Sequence, residues 1–387
     1  MPRTKQILPG GPRIADHVAM GVLAKSFPSD LVLQVVRETG KASIRNRDLP
    51  AHLVVLYCLS LWLYRDVAYE DVLDCLLESC RWLGLPGSKG ATKGAITQAR
   101  DRLGIEPMQL LFERVAVPVA TEQTLGAWYR GLRVVAIDGT VFDTPDTKEN
   151  AKEFGRTSNQ FGPGPFPKVR AVVLSETSTH APFGLAIGAN ATSETVLCRQ
   201  LLTKLKPDML LLADRGFFSI DLWNEFAAAH AKLLWRIKTN SPVDVYERLE
   251  DGSYRASVRH KTEEIPVRVV VYQVEGSDEQ IRLVTNILDP ADAPAIELAG
   301  LYPQRWEAEH AFDEIKNHIS GSRLALRSKK PDLVRQEIWA LMLLHWALRD
   351  LINDAAIAHS RDPDTISFVK TVRLVKLHFT KNGSFSP

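Results

Sequence analysis

The chain has 387 residues, of which 45% are hydrophobic and 24% charged, with a formal net charge of +2. This composition excludes a disordered or collagen-like chain, and near-neutrality excludes a uniformly basic coat for nucleic acid, so any basic surface must be local. The length exceeds one ordinary domain and points to two or three domains with sizeable cores.

Residues 1 to about 12 are basic and rich in proline and glycine, and no apolar h-region follows, so a loose tail and no secretory signal are expected. From Ile14 to about Gly126 the pattern is helical, with apolar residues at three and four spacing in Asp30–Arg37, Leu49–Tyr64 and Ala68–Leu83. The most apolar runs, Leu53–Tyr64 and Ile338–Leu348, are too short and too interrupted to span a bilayer of about 30 Å. They read as buried core helices, with no membrane partner and a cytoplasmic location. Cys58, Cys75, Cys80 and Cys198 show neither a C-x-x-C pair nor histidines at zinc spacing, and read as buried thiols. Leu85–Gly104 carries a loop with Lys89 and Lys93, and Thr92 suits the N-cap of a helix bearing Gln98, Arg100 and Arg102. These cations could sit on phosphates or in a groove, and a solvated helix face fits them equally well.

At Leu132 the texture changes. Leu132–Phe142 is a short β-branched run ending in Asp-Gly, Asp138-Gly139, and Val169–Thr177 reads as another strand. The segment between them, Asp143–Lys168, is rich in glycine, proline and charge and reads as a long loop over a site. Pro182–Ala191 looks like a third strand, followed by a helix over about Ser193–Leu205. Asp208–Ala213 is a buried strand stopping at Asp214, followed by a helix over Ile220–Ala231 and a strand over Lys232–Lys238. Strands alternating with helices imply a mixed α/β core with its site at the strand ends. Residues 241–299 turn to alternating strands, Tyr254–Val258, Ile265–Val274 and Gln280–Thr285, and suggest an antiparallel β insertion.

Leu301–Ser320 then reads as one helix. At about 100° per residue it gathers Tyr302, Arg305, Glu309 and Lys316 within an arc of roughly 60°, over about 21 Å of rise. Ala308, Ala311, Phe312, Ile315 and Ile319 form the packing flank, and Glu307 and Glu314 point to the far side. A long buried helix, Leu333–Ala358, follows, and Lys376–Pro387 is weakly patterned.

Asp138, Asp214 and Glu309 are the candidate catalytic and metal-binding residues. Carboxylates held at the ends of rigid strands suit a hard divalent cation, and two Mg²⁺ ions about 3.5–4 Å apart can drive phosphodiester displacement. Taken singly, each has a blander reading: an Asp-Gly turn at Asp138, a helix N-cap at Asp214, and for Glu309 an i,i+4 partner of Arg305. Their convergence on one end of an α/β core favours a site. Asp313, one turn after Glu309, is the rival for third ligand.

Tyr302-x2-Arg305-x3-Glu309-x6-Lys316 resembles the Y-R-E-K signature of the insertion-sequence-four family of bacterial DDE transposases, and IDGT around Asp138 and ADRGF around Asp214 resemble its first two acidic motifs. The likeness covers roughly Leu132–Ser320, and TQARDRLG in the helical front is similar to N-terminal regions of such proteins. It implies an RNase H-like catalytic core interrupted by a β-rich insertion and preceded by an all-helical DNA-binding domain. The expected segments are 1–130, 131–240, 241–300 and 301–387. It further implies a homodimer acting on double-stranded DNA, at element terminal inverted repeats and target DNA, by cut-and-paste through hairpin ends. Asp138, Asp214 and Glu309 would hold two Mg²⁺ ions, with Mn²⁺ as a substitute. Tyr302, Arg305 and Lys316 would contact phosphates, with Arg215 a further candidate. Hairpin-forming transposases commonly hold a flipped base on an aromatic. Residues 241–299 contain no tryptophan, only Tyr246, Tyr254 and Tyr272, which leaves Trp235 and Trp306 as alternatives.

Overall fold

The structure, a computed structural model, describes residue 23 and residues 25–43, 49–64, 67–82, 90–160, 162–274, 276, 279–319 and 326–380. The chain forms two compact units, Met1–Leu111 with Val369–Pro387, and Phe112–Phe368.

The first unit is helical: α1 (Ser29–Glu38), α2 (Ala51–Leu63), α3 (Tyr69–Trp82) and α4 (Lys93–Leu103). Every residue of α2 except His52 is buried, as expected of a helix that is apolar all round. Thr92 caps α4 as the sequence suggests, its side chain accepting from the Ala95 N–H at 3.3 Å, and Gly104 ends the helix at φ 73°, where a side chain would be strained. The next helix, α5 (Glu106–Val115), leads into the second unit.

The second unit is built on one sheet: β1 (Trp128–Tyr129), β2 (Leu132–Asp143), β3 (Arg156–Asn159), β4 (Gly162–Glu176), β5 (Pro182–Ala189), β6 (Met209–Ala213), β7 (Lys232–Ile237), β8 (Asp244–Arg248), β9 (Tyr254–His260), β10 (Glu263–Gln273) and β11 (Gln280–Thr285). Its helices are α6 (Lys148–Phe154), α7 (Glu194–Arg199), α8 (Ile220–Ala228), α9 (Ala295–Leu301), α10 (Trp306–Asp313) and α11 (Pro331–Ala358), with α12 (Phe368–Thr380) beginning at its end. The strand order is β3-β4-β2-β6-β7-β11-β10-β9-β8, with β5 on β4 and β1 on β2. β5, β4 and β2 are antiparallel neighbours, and β6 and β7 continue parallel to β2. Three antiparallel strands followed by two parallel ones, with helices in the crossovers, is the RNase H-like arrangement.

Alternation along the strands sends side chains to two cores. Val135, Ile137 and Leu211 pack with Leu197 of α7 and Trp223 of α8, while Val134, Ala136 and Leu212 pack with Leu298 of α9, Tyr302 and Ala308. The helix bearing Glu309 therefore lies on the face opposite α7 and α8.

Two expectations are corrected. Asp143–Lys168 is not a loop: it holds α6, β3 and the first part of β4. Pro163, Pro165 and Pro167 are tolerated because this part of β4 runs beyond the pairing with β2 and β5 and has β3 alone as its neighbour, so one side needs no N–H donor. The strands of the antiparallel insertion extend the core sheet, β11 pairing with β7 with Thr285 opposite Leu234. The first strand of the insertion, β8, is exposed throughout and so lacks the alternation that would announce it. The helix after Ser193 is short, α7 giving way to a tight turn at Leu202–Lys204.

Candidate active site

Asp138 lies within β2, not at its end. The strand continues to Asp143, paired with β4, so Asp138-Gly139 is not a turn. On the other side β2 runs parallel to β6 with Ile137 opposite Ala213, which is the last residue of β6. Asp138 and Asp214 therefore follow one register pair on adjacent strands, roughly 5 Å apart along the backbone. Asp214 is not a helix cap either, because Ser219 caps α8 with its side chain on the Leu222 N–H.

The segment expected as one straight helix is composite: a 3₁₀ turn over Tyr302–Arg305, then α10, then a π turn over Glu314–Ile319. Ser320 lies outside the described residues. The packing flank is as expected, with Ala308, Ala311, Phe312, Ile315 and Ile319 all buried.

Within this segment the polar residues divide. Tyr302 is buried, and its hydroxyl donates to the Ala213 carbonyl at 3.3 Å. It ties the turn to the end of β6, beside Asp214, and burial pushes its phenol upward. Arg305 is buried as well. Its guanidinium reaches Glu309 Oε1 at 2.7 Å and Asp138 Oδ2 at 3.6 Å. Burial alone would lower the Arg305 guanidinium, but Glu309, Tyr302, Asp138 and Asp214 more than reverse that. Its Nε has no partner. Lys316 is half-buried with Nζ 5.8 Å from the centre of the Phe142 ring, and burial lowers its ammonium. Burial pushes the Asp138 carboxyl up to about 6, against the Gly139 N–H and Arg305 and with the charges of Glu309 and Glu194.

Glu309 and Asp138 thus flank one cation, the Arg305 guanidinium, and Asp214 follows Ala213 on the neighbouring strand. Glu309, not Asp313, makes that contact. Oxygen-only donors gathered around a positive charge are the chemistry that a hard divalent cation requires, so the residues fit a metal in the place Arg305 now serves.

Among the described residues, the three metal-capable side chains whose ligand atoms lie within 4.8 Å of one another are His180, Glu307 and Asp364, not this triad. That cluster is an ion-pair network that the sequence did not announce. His180 Nδ1 lies 2.5 Å from Arg349 Nη2 and 3.5 Å from Glu314 Oε1, and its Nε2 meets Glu307 Oε2 at 3.1 Å. Both ring nitrogens are committed. His180 and Arg349 are 169 residues apart in the chain, beyond the reach of any spacing pattern.

Of the remaining expected DNA contacts, Arg215 is exposed, and so are Lys93 and Arg102 in the helical unit. Arg100 is buried at 3% exposure. Lys89 lies outside the described residues. Trp235 is fully buried among Trp223 and Phe226, whereas Trp306 and Tyr246 are exposed.

An RNase H-like core with two aspartates on adjacent parallel strands and a glutamate on a following helix is the build of DDE-type DNA-processing enzymes. The comparisons agree: residues 129–347 match the transposase DDE domain, and residues 17–113 match the insertion element 4 transposase N-terminal domain. The chain belongs to the DDE transposase family of the insertion element 4 type. It is 29% identical over 360 residues, 89% of this chain and 80% of the other, to the transposase InsG for insertion sequence element IS4 of Escherichia coli (strain K12). It is also 28% identical over 203 residues, 52% of this chain and 65% of the other, to the putative transposase InsZ of the same organism. A solved piggyBac transposase synaptic complex with hairpin DNA is similar at a TM-score of 0.48 and 12% identity, over 94% of this chain and 80% of that one. Membership of the DDE class makes this a DNA-acting transposase that uses divalent metal. Among the described residues, no helix is long and apolar enough to cross a membrane.

Proposed function

We propose that the protein is an active transposase that cleaves double-stranded DNA at the terminal inverted repeats of its element and joins the ends to target DNA, working in the bacterial cytoplasm as a homodimer on paired ends. Asp138, Asp214 and Glu309 would hold two Mg²⁺ ions, with Mn²⁺ as a substitute; bound metal activates water and stabilises the leaving oxygen in phosphodiester displacement. The observation that carries this reading is the Arg305 guanidinium set between Asp138 and Glu309, because it marks where the protein places positive charge.

The side chains share the remaining work. Tyr302 fixes the segment to β6 and so sets the height of Glu309 above Asp214. Arg305, freed from Glu309 when a metal takes its place, is positioned to meet a phosphate of the cleaved strand. Lys316 and Arg215 extend that positive edge, and Lys93 and Arg102 offer a second one on the helical unit. Exposed Trp306, next to Arg305, is the aromatic best placed to hold a base flipped out of a hairpin end.

The test is incubation with Mg²⁺ and a duplex carrying an element end, for wild type and Glu309→Gln. Hairpin ends and joined products are expected from the wild type, with a loss of more than about 100-fold in the variant. Nicking without joining would make the protein a nuclease, and binding without metal-dependent products would make it a repressor. Full activity in Glu309→Gln would pass the ligand role to Asp313.

A further inference from the structure

His180, Glu307 and Asp364 come from three elements of the second unit: the β4–β5 turn, α10 and the 3₁₀ turn Pro363–Thr365. None of them belongs to the triad, yet each offers a ligand atom within 4.8 Å of the other two. His180 Nε2 is 3.1 Å from Glu307 Oε2 and 3.5 Å from Asp364 Oδ1. A ring nitrogen carries at most one proton, which can be given to one of these carboxylates and leaves the other unserved. An ion between the three atoms serves both. Four-coordinate zinc, with bonds of about 2.0–2.2 Å, sets its ligand atoms roughly 3.4 Å apart, and the two distances straddle that value.

Charge argues the same way. Among the described residues, neither Glu307 nor Asp364 has a lysine or arginine within ion-pair distance; Glu307 meets the imidazoles of His180 and His310, and Asp364 that of His180 alone. Two carboxylates therefore share imidazoles as their close counter-charge, a deficit that a dication fills. The His180 ring is fixed from behind. It is buried, with Nδ1 2.5 Å from Arg349 Nη2 and 3.5 Å from Glu314 Oε1, so Nε2 is turned toward the outer carboxylates. A carboxylate behind the ring is a usual outer support of a metal-bound histidine. Asp364 and His310 are exposed, which leaves an ion a way in.

We propose that His180 Nε2, Glu307 and Asp364 form a second metal site, for a zinc-class divalent ion, with water or His310 as the fourth ligand. An imidazole nitrogen in the donor set suits zinc, whereas the oxygen-only triad suits Mg²⁺. Binding releases to solvent the proton that Nε2 carries. The ion fastens the β4–β5 turn and the turn at Pro363–Thr365 to α10, the helix that bears Glu309. It does not depend on the ligand roles proposed for the triad, because Glu307 projects about 200° round the helix from Glu309.

The test titrates Zn²⁺ into the full chain against a chromophoric chelator, in buffer with excess Mg²⁺ to fill the oxygen-only site, for wild type, Asp364→Asn and Glu309→Gln. Wild type should take up one Zn²⁺ per chain and melt higher with it. Asp364→Asn changes one exposed side chain, so it should melt like wild type in EDTA. It should bind Zn²⁺ at least tenfold more weakly and gain less in melting temperature. Glu309→Gln should bind Zn²⁺ like wild type. Wild-type affinity in Asp364→Asn overturns the inference, as does a wild type that takes up no Zn²⁺. Zn²⁺ lost by Glu309→Gln and kept by Asp364→Asn places the ion among the catalytic carboxylates, which overturns the inference and leaves that site standing. Co²⁺ gives a second readout. The visible absorption of a four-coordinate ion should appear on wild type and fade in Glu307→Gln; its absence from wild type, or its full retention in the variant, overturns the inference as well.

Discussion

Tyr302 and Arg305 stand in one spaced motif and carry different duties, because burial decides what each can touch. The Tyr302 hydroxyl is spent on a backbone carbonyl, so Tyr302→Phe should cost about 1 kcal/mol, the worth of one buried hydrogen bond. Urea unfolding measures that loss, and affinity for an element-end duplex should stay within about twofold while the salt slope is unchanged. A drop in affinity with a shallower salt slope would instead return the phenol to the DNA. Arg305 makes the opposite prediction. Arg305→Met removes the only charge that contacts both Asp138 and Glu309 among the described residues. The variant should melt lower than wild type in chelator, and Mg²⁺ should raise its melting temperature by more than it raises that of wild type, since the ion relieves a larger repulsion. Equal Mg²⁺ shifts would mean that the guanidinium and the metal do not compete for one place.

At the scale of the element, the glutamate segment is held from behind as well as from the site. Glu314, where the helix widens to a π turn, is buried against His345 Nε2 at 3.0 Å and Arg349 Nε at 2.9 Å, both from α11. His180, in the β4–β5 turn at φ 57°, completes the set. Burial would raise the Glu314 carboxyl, but His180, His345 and Arg349 hold it well below the usual carboxylate range. Its stabilisation is therefore present above the unfolded carboxylate value and is lost as pH falls below it. Urea unfolding between about pH 5 and pH 3 should show wild-type stability falling more steeply than that of Glu314→Gln, and parallel slopes would deny the network this role. The motif spacing was legible in the chain because a helix repeats every 3.6 residues, and the packing flank followed from the same periodicity. The 3₁₀ and π turns were not legible, since they answer to partners such as His180 that no local pattern reveals. Asp138 and Asp214 could be picked out by their place beside apolar runs, but their neighbourhood needed the register of β2 with β6.

For the whole molecule, the decisive feature is that the insertion is continuous with the catalytic sheet. Alternation and turn residues made its strands readable, but nothing in them says which edge they join. The structure joins them to β7, whose Leu233, Leu234 and Trp235 are fully buried. The insertion also holds the start of the glutamate segment. Arg268 of β10, fully buried, donates to the Ala293 carbonyl at 2.7 Å and pairs with Asp251 at 2.5 Å, and Asp251 accepts from the Ala295 N–H that opens α9. Removing the buried guanidinium leaves the Ala293 carbonyl and the Ser253 hydroxyl without their donor, at a cost of about 1–3 kcal/mol, so Arg268→Ala should destabilise the catalytic unit and not the insertion alone. A larger change follows the same logic. Replacing residues 241–292 with a short Gly–Ser linker would strip β11 from β7 and leave an apolar strand edge open to pairing with another chain. The shortened protein should sediment as aggregates at concentrations where the full chain does not, and it should lose metal-dependent cleavage because α9 and Glu309 lose their anchor. A monodisperse product with cooperative unfolding and intact cleavage would show instead that the RNase H-like strands stand alone and that the insertion is an accessory to them.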